Sequence, residues 1–156
     1  EQSSRNAYDT QLDMPKPVTV SAQAPAGTRA ENAEKGPTSE RAEASFKNGL
    51  TAARNNQPDH AVRFFAEAAS LNPKMGRYRA EYGRALIAQP QTRRIAEFEL
   101  KAAIALEPNN GDYRLMLAEL YKALGLHRRA AAEIQKALEA DPKNEAARTL
   151  MSSLKK

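Results

Sequence analysis

The chain has 156 residues, 41% of them apolar, and a formal net charge of +5, which is enough for one ordinary domain with tails. It contains no cysteine, which excludes disulfides, thiolate metal sites and cysteine nucleophiles and leaves the redox compartment unread. No apolar run approaches the roughly eighteen residues that span a bilayer, and the first residues lack the basic-then-apolar order of a signal peptide. No membrane partner is expected, and a cytoplasmic location is expected, with a periplasmic one as the alternative.

In chain order, the octet RNAYDTQL (5–12) comes first, with Arg5, Tyr8 and Leu12 along one helical face. It resembles the last helix of a J domain, the DnaJ-type co-chaperone module, which typically ends in Arg-x-x-Tyr-Asp, a leucine and a flexible linker. The resemblance covers eight residues. It implies that residues 1–13 are a helix-like remnant of a J domain otherwise absent from this chain, through which an Hsp70 would be reached. The His-Pro-Asp loop with which that family stimulates Hsp70 is missing, since Pro58-Asp59-His60 has the wrong order. Residues 14–38 follow, rich in proline, alanine and threonine, with few bulky apolar side chains. They cannot bury enough surface to offset chain entropy and are expected to be a flexible, disordered linker. Its ends would lie about 25 to 30 Å apart.

From Ser39 the texture becomes alanine, leucine, arginine and glutamate at helical spacing. Residues 42–156 hold 19 Lys/Arg against 13 Asp/Glu, so the positive charge belongs to this body. Asn72-Pro73, Glu107-Pro108 and Asp141-Pro142 each close an alanine-rich segment, at a spacing of 35 and then 34 residues. Upstream of each proline the small residues Gly49, Ala61 and Ala68 recur as Gly83, Ala96 and Ala103 and as Ala118, Ala130 and Ala137. A period of this length with two amphipathic helices per unit predicts an all-α superhelix, with three helix-turn-helix repeats over 39–142.

These residues resemble the tetratricopeptide repeat, most closely at Leu117, Ala118, Tyr121, Gly125, Ala130, Ile134, Ala137 and Pro142. Ser45 and Arg79 stand where that family often has a large aromatic. Unit two carries an extra residue at Gln89-Pro90-Gln91, which predicts a wider turn. Thr38 or Ser39 is expected to cap the first helix and Thr92 the fourth; Pro58 suits a first helical turn, and Gly125 supplies a left-handed stop. Residues 143–156 are expected to form a capping helix with Ala146, Ala147, Leu150, Met151 and Leu154 on one face.

No catalytic constellation is visible, which argues against an enzyme, and no cofactor or metal is implied. His60 and His127 fit solvated turns, and carboxylates alternate with cations at ordinary helix-surface spacings, as in Glu97/Lys101. A solenoid's default activity is binding a protein or peptide partner. By the resemblance, the concave groove is lined by the first helix of each unit: Glu43, Phe46, Lys47, Leu50 and Arg54; Arg77, Ala80, Glu81, Arg84 and Ile87; Asp112, Leu115, Met116, Glu119 and Lys122. Phe46, Leu50, Leu115 and Met116 could take apolar side chains, while Arg54, Arg77 and Arg84 could clamp carboxylates. One branch of the family grips the C-terminal carboxylate of chaperones with Lys, Asn and Arg. Those positions fall here on Phe46, Leu50, Glu81, Asp112 and Met116, none of which matches, and the acids would repel the ligand. A basic edge at Arg93, Arg94, Arg128 and Arg129 is a rival surface. Nucleic acid is not favoured, because acids are interspersed and no aromatic interleaves with a basic run. The expected function is a non-enzymatic scaffold, the C-terminal part of a DnaJ-like co-chaperone. The alternative is an envelope assembly factor for pili or secretion machinery.

Overall fold

The computed structural model describes residues 36–156; the octet 5–12 and the linker through Lys35 lie outside the described residues. Seven α-helices and no strand occur among the described residues: α1 Pro37–Arg54, α2 Pro58–Leu71, α3 Gly76–Leu86, α4 Arg93–Leu106, α5 Gly111–Ala123, α6 His127–Ala140 and α7 Glu145–Leu154. Helices α1 and α2, α3 and α4, and α5 and α6 pair as hairpins; each hairpin leans on the first helix of the next, and α7 covers the last.

Every hairpin closes through the same knob and notch. A Cβ on Gly49 would lie 2.6 Å from the Phe65 ring, and one on Gly83 would lie 2.8 Å from Leu100 Cγ and 3.1 Å from the Ala96 carbonyl oxygen. Unit three has the fully buried Ala118 at the notch and Ile134 as the knob. Full burial of a side chain such as Leu100 contributes about 1.5–3 kcal/mol, so the recurring small residues set how closely the helices approach. The interior runs as two apolar clusters, one around Phe46, Phe65 and Tyr78 and one from Ala80 to Ala147, with Tyr82 packed against both.

Proline opens α1 at Pro37 and α2 at Pro58, where a missing N–H costs no intrahelical bond. The helix α1 begins with Gly36 as its N-cap and no side-chain cap, so the expected caps at Thr38 and Ser39 do not form; both residues are already inside the first turn. Thr92 does precede α4 but makes no side-chain cap either. Its hydroxyl turns back toward the carbonyls of Leu86 and Gln89, at 2.7 and 3.0 Å, to fasten a short 3-10 turn, Pro90–Thr92, that fills the wider loop of unit two. Gly125 has φ +73°; its N–H donates to Lys122 O and that of Leu126 to Tyr121 O, so α5 stops as expected. Asn56 does the same for α1 at φ +57°, with the Gln57 N–H on Ala52 O.

Each unit joins the next through one repeated device. The N–H groups of Met75, Asn110 and Asn144 donate to the carbonyls of Asn72, Glu107 and Asp141 at 3.1 to 3.2 Å. Six residues after each proline an arginine reaches back to the proline carbonyl: Arg79 to Pro73 at 2.6 Å, Arg114 to Pro108 at 3.3 Å and Arg148 to Pro142 at 2.8 Å. Arg79 also pairs with Glu99 at 3.0 Å and Arg114 with Glu133 at 3.2 Å, all four side chains largely buried. Arg79 therefore staples the loop to both helices of its unit at the position where an aromatic was looked for. In α7, which Asn144 caps through the Ala147 N–H, Ala147 is buried and Leu150, Met151 and Leu154 pack on the core. Ala146 is exposed, because it sits a helical step outside the buried stripe.

Candidate functional site

The first helices α1 and α3 meet along a seam that brings part of the expected groove together. Arg77 donates to Glu43 at 2.5 Å, and the Tyr78 hydroxyl donates to the same carboxylate oxygen at 2.5 Å. The Arg77 guanidinium lies 4.7 Å from the centre of the Phe46 ring. Phe46 itself is only 6% exposed and stacks obliquely on Phe65 and Tyr78, with ring centres 5.7 and 4.9 Å away. Its ring is thus spent on the interior, and Arg77 locks α3 to α1 instead of reaching outward. Leu115 is also buried, at 8%, while Leu50 and Met116 are half-buried against the two apolar clusters.

Two cavities lie along this face. At the lock itself a cleft of about 630 Å³ is lined by Glu43, Lys47, Met75 and Tyr78 with the start of α1. Further along α3 a more enclosed pocket of about 160 Å³ has Glu81, Arg84 and Ala85 on its α3 wall, and Ala53, Asn56, Gln57, Pro58 and the Phe65 ring opposite. Arg84 Nε lies 3.6 Å from Glu81, a loose pair in which Arg84 is exposed and Glu81 half-buried. Arg54 is exposed at the last turn of α1. Glu119 is exposed on α5, and Lys122 points to α7, donating to the Ser153 hydroxyl at 3.0 Å. The structure thus groups Lys47 with Glu43, and Glu81 with Arg84, and leaves Glu119 and Lys122 apart. The Asn56 corner of the smaller pocket was missed by sequence reasoning; its signal was the Asn-Asn-Gln-Pro run, an αL-tolerant residue just before a helix-starting proline.

The electrostatics follow from these contacts. The Tyr78 hydroxyl first, and then Arg77, hold the Glu43 carboxyl below its ordinary value, and burial raises the Tyr78 phenol. The carboxyl of Glu97 is lowered in the same way by Lys101, 2.9 Å away, and by the Tyr121 hydroxyl. Burial, with the Glu107 carboxylate that accepts its hydroxyl at 2.6 Å, pushes the Tyr113 phenol well above its usual range. The carboxylates at the unit junctions are thus already committed to partners within the fold.

An all-α solenoid of stacked helix hairpins with small-residue notches defines the class. Residues 96–154 match the tetratricopeptide repeat family, and the fold of the described residues is that of a tetratricopeptide-repeat domain. Its fold is similar to that of the Arabidopsis OM64 tetratricopeptide-repeat domain, with a TM-score of 0.70 at 24% identity, over 76% of this chain and 97% of that one. It is similar to the second such domain of human RPAP3, solved in complex with the HSP70 peptide SGPTIEEVD, with a TM-score of 0.69 at 18% identity, over 76% and 98%. The TPR2B domain of yeast Sti1, in complex with pHsp70, gives a TM-score of 0.68 at 18% identity, over 74% and 97%. No curated protein matches the sequence.

Proposed function

We propose that the chain is a non-enzymatic scaffold that holds a peptide segment of a partner protein along the α1–α3 seam. The carrying observation is the pair of cavities along this face, one at the Arg77–Glu43 lock and one further along α3. They offer two exposed cations, Lys47 and Arg84, beside partly apolar walls. Similar folds solved with Hsp70 peptides support peptide binding as the activity. A clamp on a chaperone C-terminal carboxylate is not what these residues offer, since Phe46, Leu50, Glu81, Asp112 and Met116 supply no cation. The test is the double variant Lys47→Glu with Arg84→Glu, in which both side chains are exposed and helicity should be unchanged. Peptides selected on the wild-type seam from a random 12-residue library should bind it about tenfold more weakly or worse; unchanged affinity overturns the proposal.

The octet RNAYDTQL supports a narrower reading, the C-terminal part of a DnaJ-like co-chaperone acting in the cytoplasm. A His-Pro-Asp loop encoded ahead of the octet would support it, and a leader peptide there would favour the envelope assembly factor.

A further inference from the structure

The notch that closes each hairpin also fixes which way its neighbours on the first helix point. Gly49, Gly83 and Ala118 occupy that notch in successive units, so residues at one set distance from it share a face. Leu50, Arg84 and Glu119 stand one residue past the notch, Lys47, Glu81 and Met116 two residues before it, and Glu43, Arg77 and Asp112 six before it. Helices α3 and α5 touch directly, and a Cβ on Gly76, at the start of α3, would lie 3.2 Å from the Tyr113 ring, next to Asp112 on α5. The face that holds the α1–α3 seam thus continues onto α5.

Charge changes sign along this face. On α1 and α3 the cations Lys47, Arg54, Arg77 and Arg84 outnumber the acids Glu40, Glu43 and Glu81. Glu43 is spent on Arg77 and the Tyr78 hydroxyl, and Glu81 meets only Arg84, at 3.6 Å. Lys47 and Arg54 are exposed and form no ion pair among the described residues. On α5 the acids prevail. Asp112 and Glu119 are exposed and form no ion pair among the described residues either, while Lys122 is drawn toward α7, where it donates to the Ser153 hydroxyl at 3.0 Å. The rival basic edge offers less, because Arg93 is spent on the Ile87 carbonyl at 3.1 Å and Arg129 lies over the Tyr121 ring, 6.0 Å from its centre.

We propose that the ligand of this face is a charge-segregated peptide, whose Asp/Glu side chains lie over α1 and α3 at Lys47 and Arg84 and whose Lys/Arg side chains lie over α5 at Asp112 and Glu119. The proposal rests on the reading of the seam as the peptide site. Packed helices lie about 8–10 Å apart and an extended chain advances about 3.3 Å per residue, so the group over Arg84 and the group over Glu119 fall about three residues apart along the peptide. A uniformly acidic peptide is disfavoured, because its further carboxylates would face Asp112 and Glu119. A nucleic acid is disfavoured for the same reason, since its phosphates run on without a change of sign.

The test selects binders to the full chain from a random 12-residue peptide library and keeps those that Lys47→Glu with Arg84→Glu weakens about tenfold or more. These seam ligands are expected to carry a Lys or Arg about three residues from their acids. Asp112→Lys with Glu119→Lys should weaken them severalfold, and exchanging their Lys/Arg for Glu should restore binding to that variant while weakening binding to the wild type. Arg94→Glu with Arg128→Glu, on the basic edge, should leave them unchanged, at constant circular dichroism in all cases. The proposal is overturned if the seam ligands carry acids alone, if the α5 variant binds them as wild type does, if the exchange restores nothing, or if the edge variant weakens them as much. In each of these cases the loss at Lys47 and Arg84 still marks the seam as the peptide site. If that loss is seen with no selected peptide, the seam reading and the proposal fall together.

Discussion

The seam inside the hairpins and the inner face of the first helices obey opposite rules. Inside, residue types recur at the repeat period: Gly49, Gly83 and Ala118 as notches, and Phe65, Leu100 and Ile134 as knobs. On the inner face, equivalent positions diverge: Glu43, Arg77 and Asp112; Lys47, Glu81 and Met116; Leu50, Arg84 and Glu119. Stacking demands the same fit at each layer, so the interior repeats. A binding surface must differ from layer to layer to read a partner in one register.

The largest effect is expected where the repeat is strictest. Leu100→Ala empties a fully buried site and should cost about 3 kcal/mol in urea unfolding; Lys47→Ala, exposed on the inner face, should change stability by less than about 0.5 kcal/mol. Equal costs would erase the distinction between the two regions. A smaller effect is expected at the staples. Arg114→Met leaves the largely buried Glu133 with only the longer contact to Lys136, at 3.5 Å, and frees the Pro108 carbonyl, and should cost about 1 to 2 kcal/mol. Arg41→Met, which breaks the exposed pair with Glu67, should cost about 0.5 kcal/mol or less.

The smallest effect should be visible in acid. Glu43 titrates below the ordinary carboxylate value of 4.5 because Tyr78 and Arg77 favour its charged form. Its stabilising contribution is therefore complete above about pH 4.5 and is lost as the pH falls through the lowered value in the folded chain. Glu43→Gln should melt below wild type at pH 7, and the gap should close as the pH drops beneath 4.5, only slightly because solvent screens the pair. A gap that widened in acid would contradict the lock.

What was legible in the sequence was what recurs. The prolines at 35 and 34 residues, the small-residue notches, Pro58 and Gly125 each report a local steric demand that residue identity alone reveals. Contacts that depend on the neighbouring helix were not legible. Phe46 and Leu115 lie one helical step from the open face, and only the packed structure shows their rings and branches turned inward. Arg79 looked like a missing aromatic, yet its partners are a carbonyl six residues back and a glutamate twenty residues on. Thr92 has the residue type of a cap, but the 3-10 turn before it offers its hydroxyl two carbonyls instead.

Amide chemical-shift mapping tests the central claim, that the diverging inner face is what binds. A library-selected peptide that still binds the Arg94→Glu/Arg128→Glu variant would be titrated into the labelled chain. The account predicts the largest shifts at Lys47, Tyr78, Glu81, Arg84 and Ala85, from the Arg77–Glu43 lock along α3, with α4 and α6 nearly silent. Shifts confined to α2, α4 or α6, or the absence of any such peptide, would contradict it.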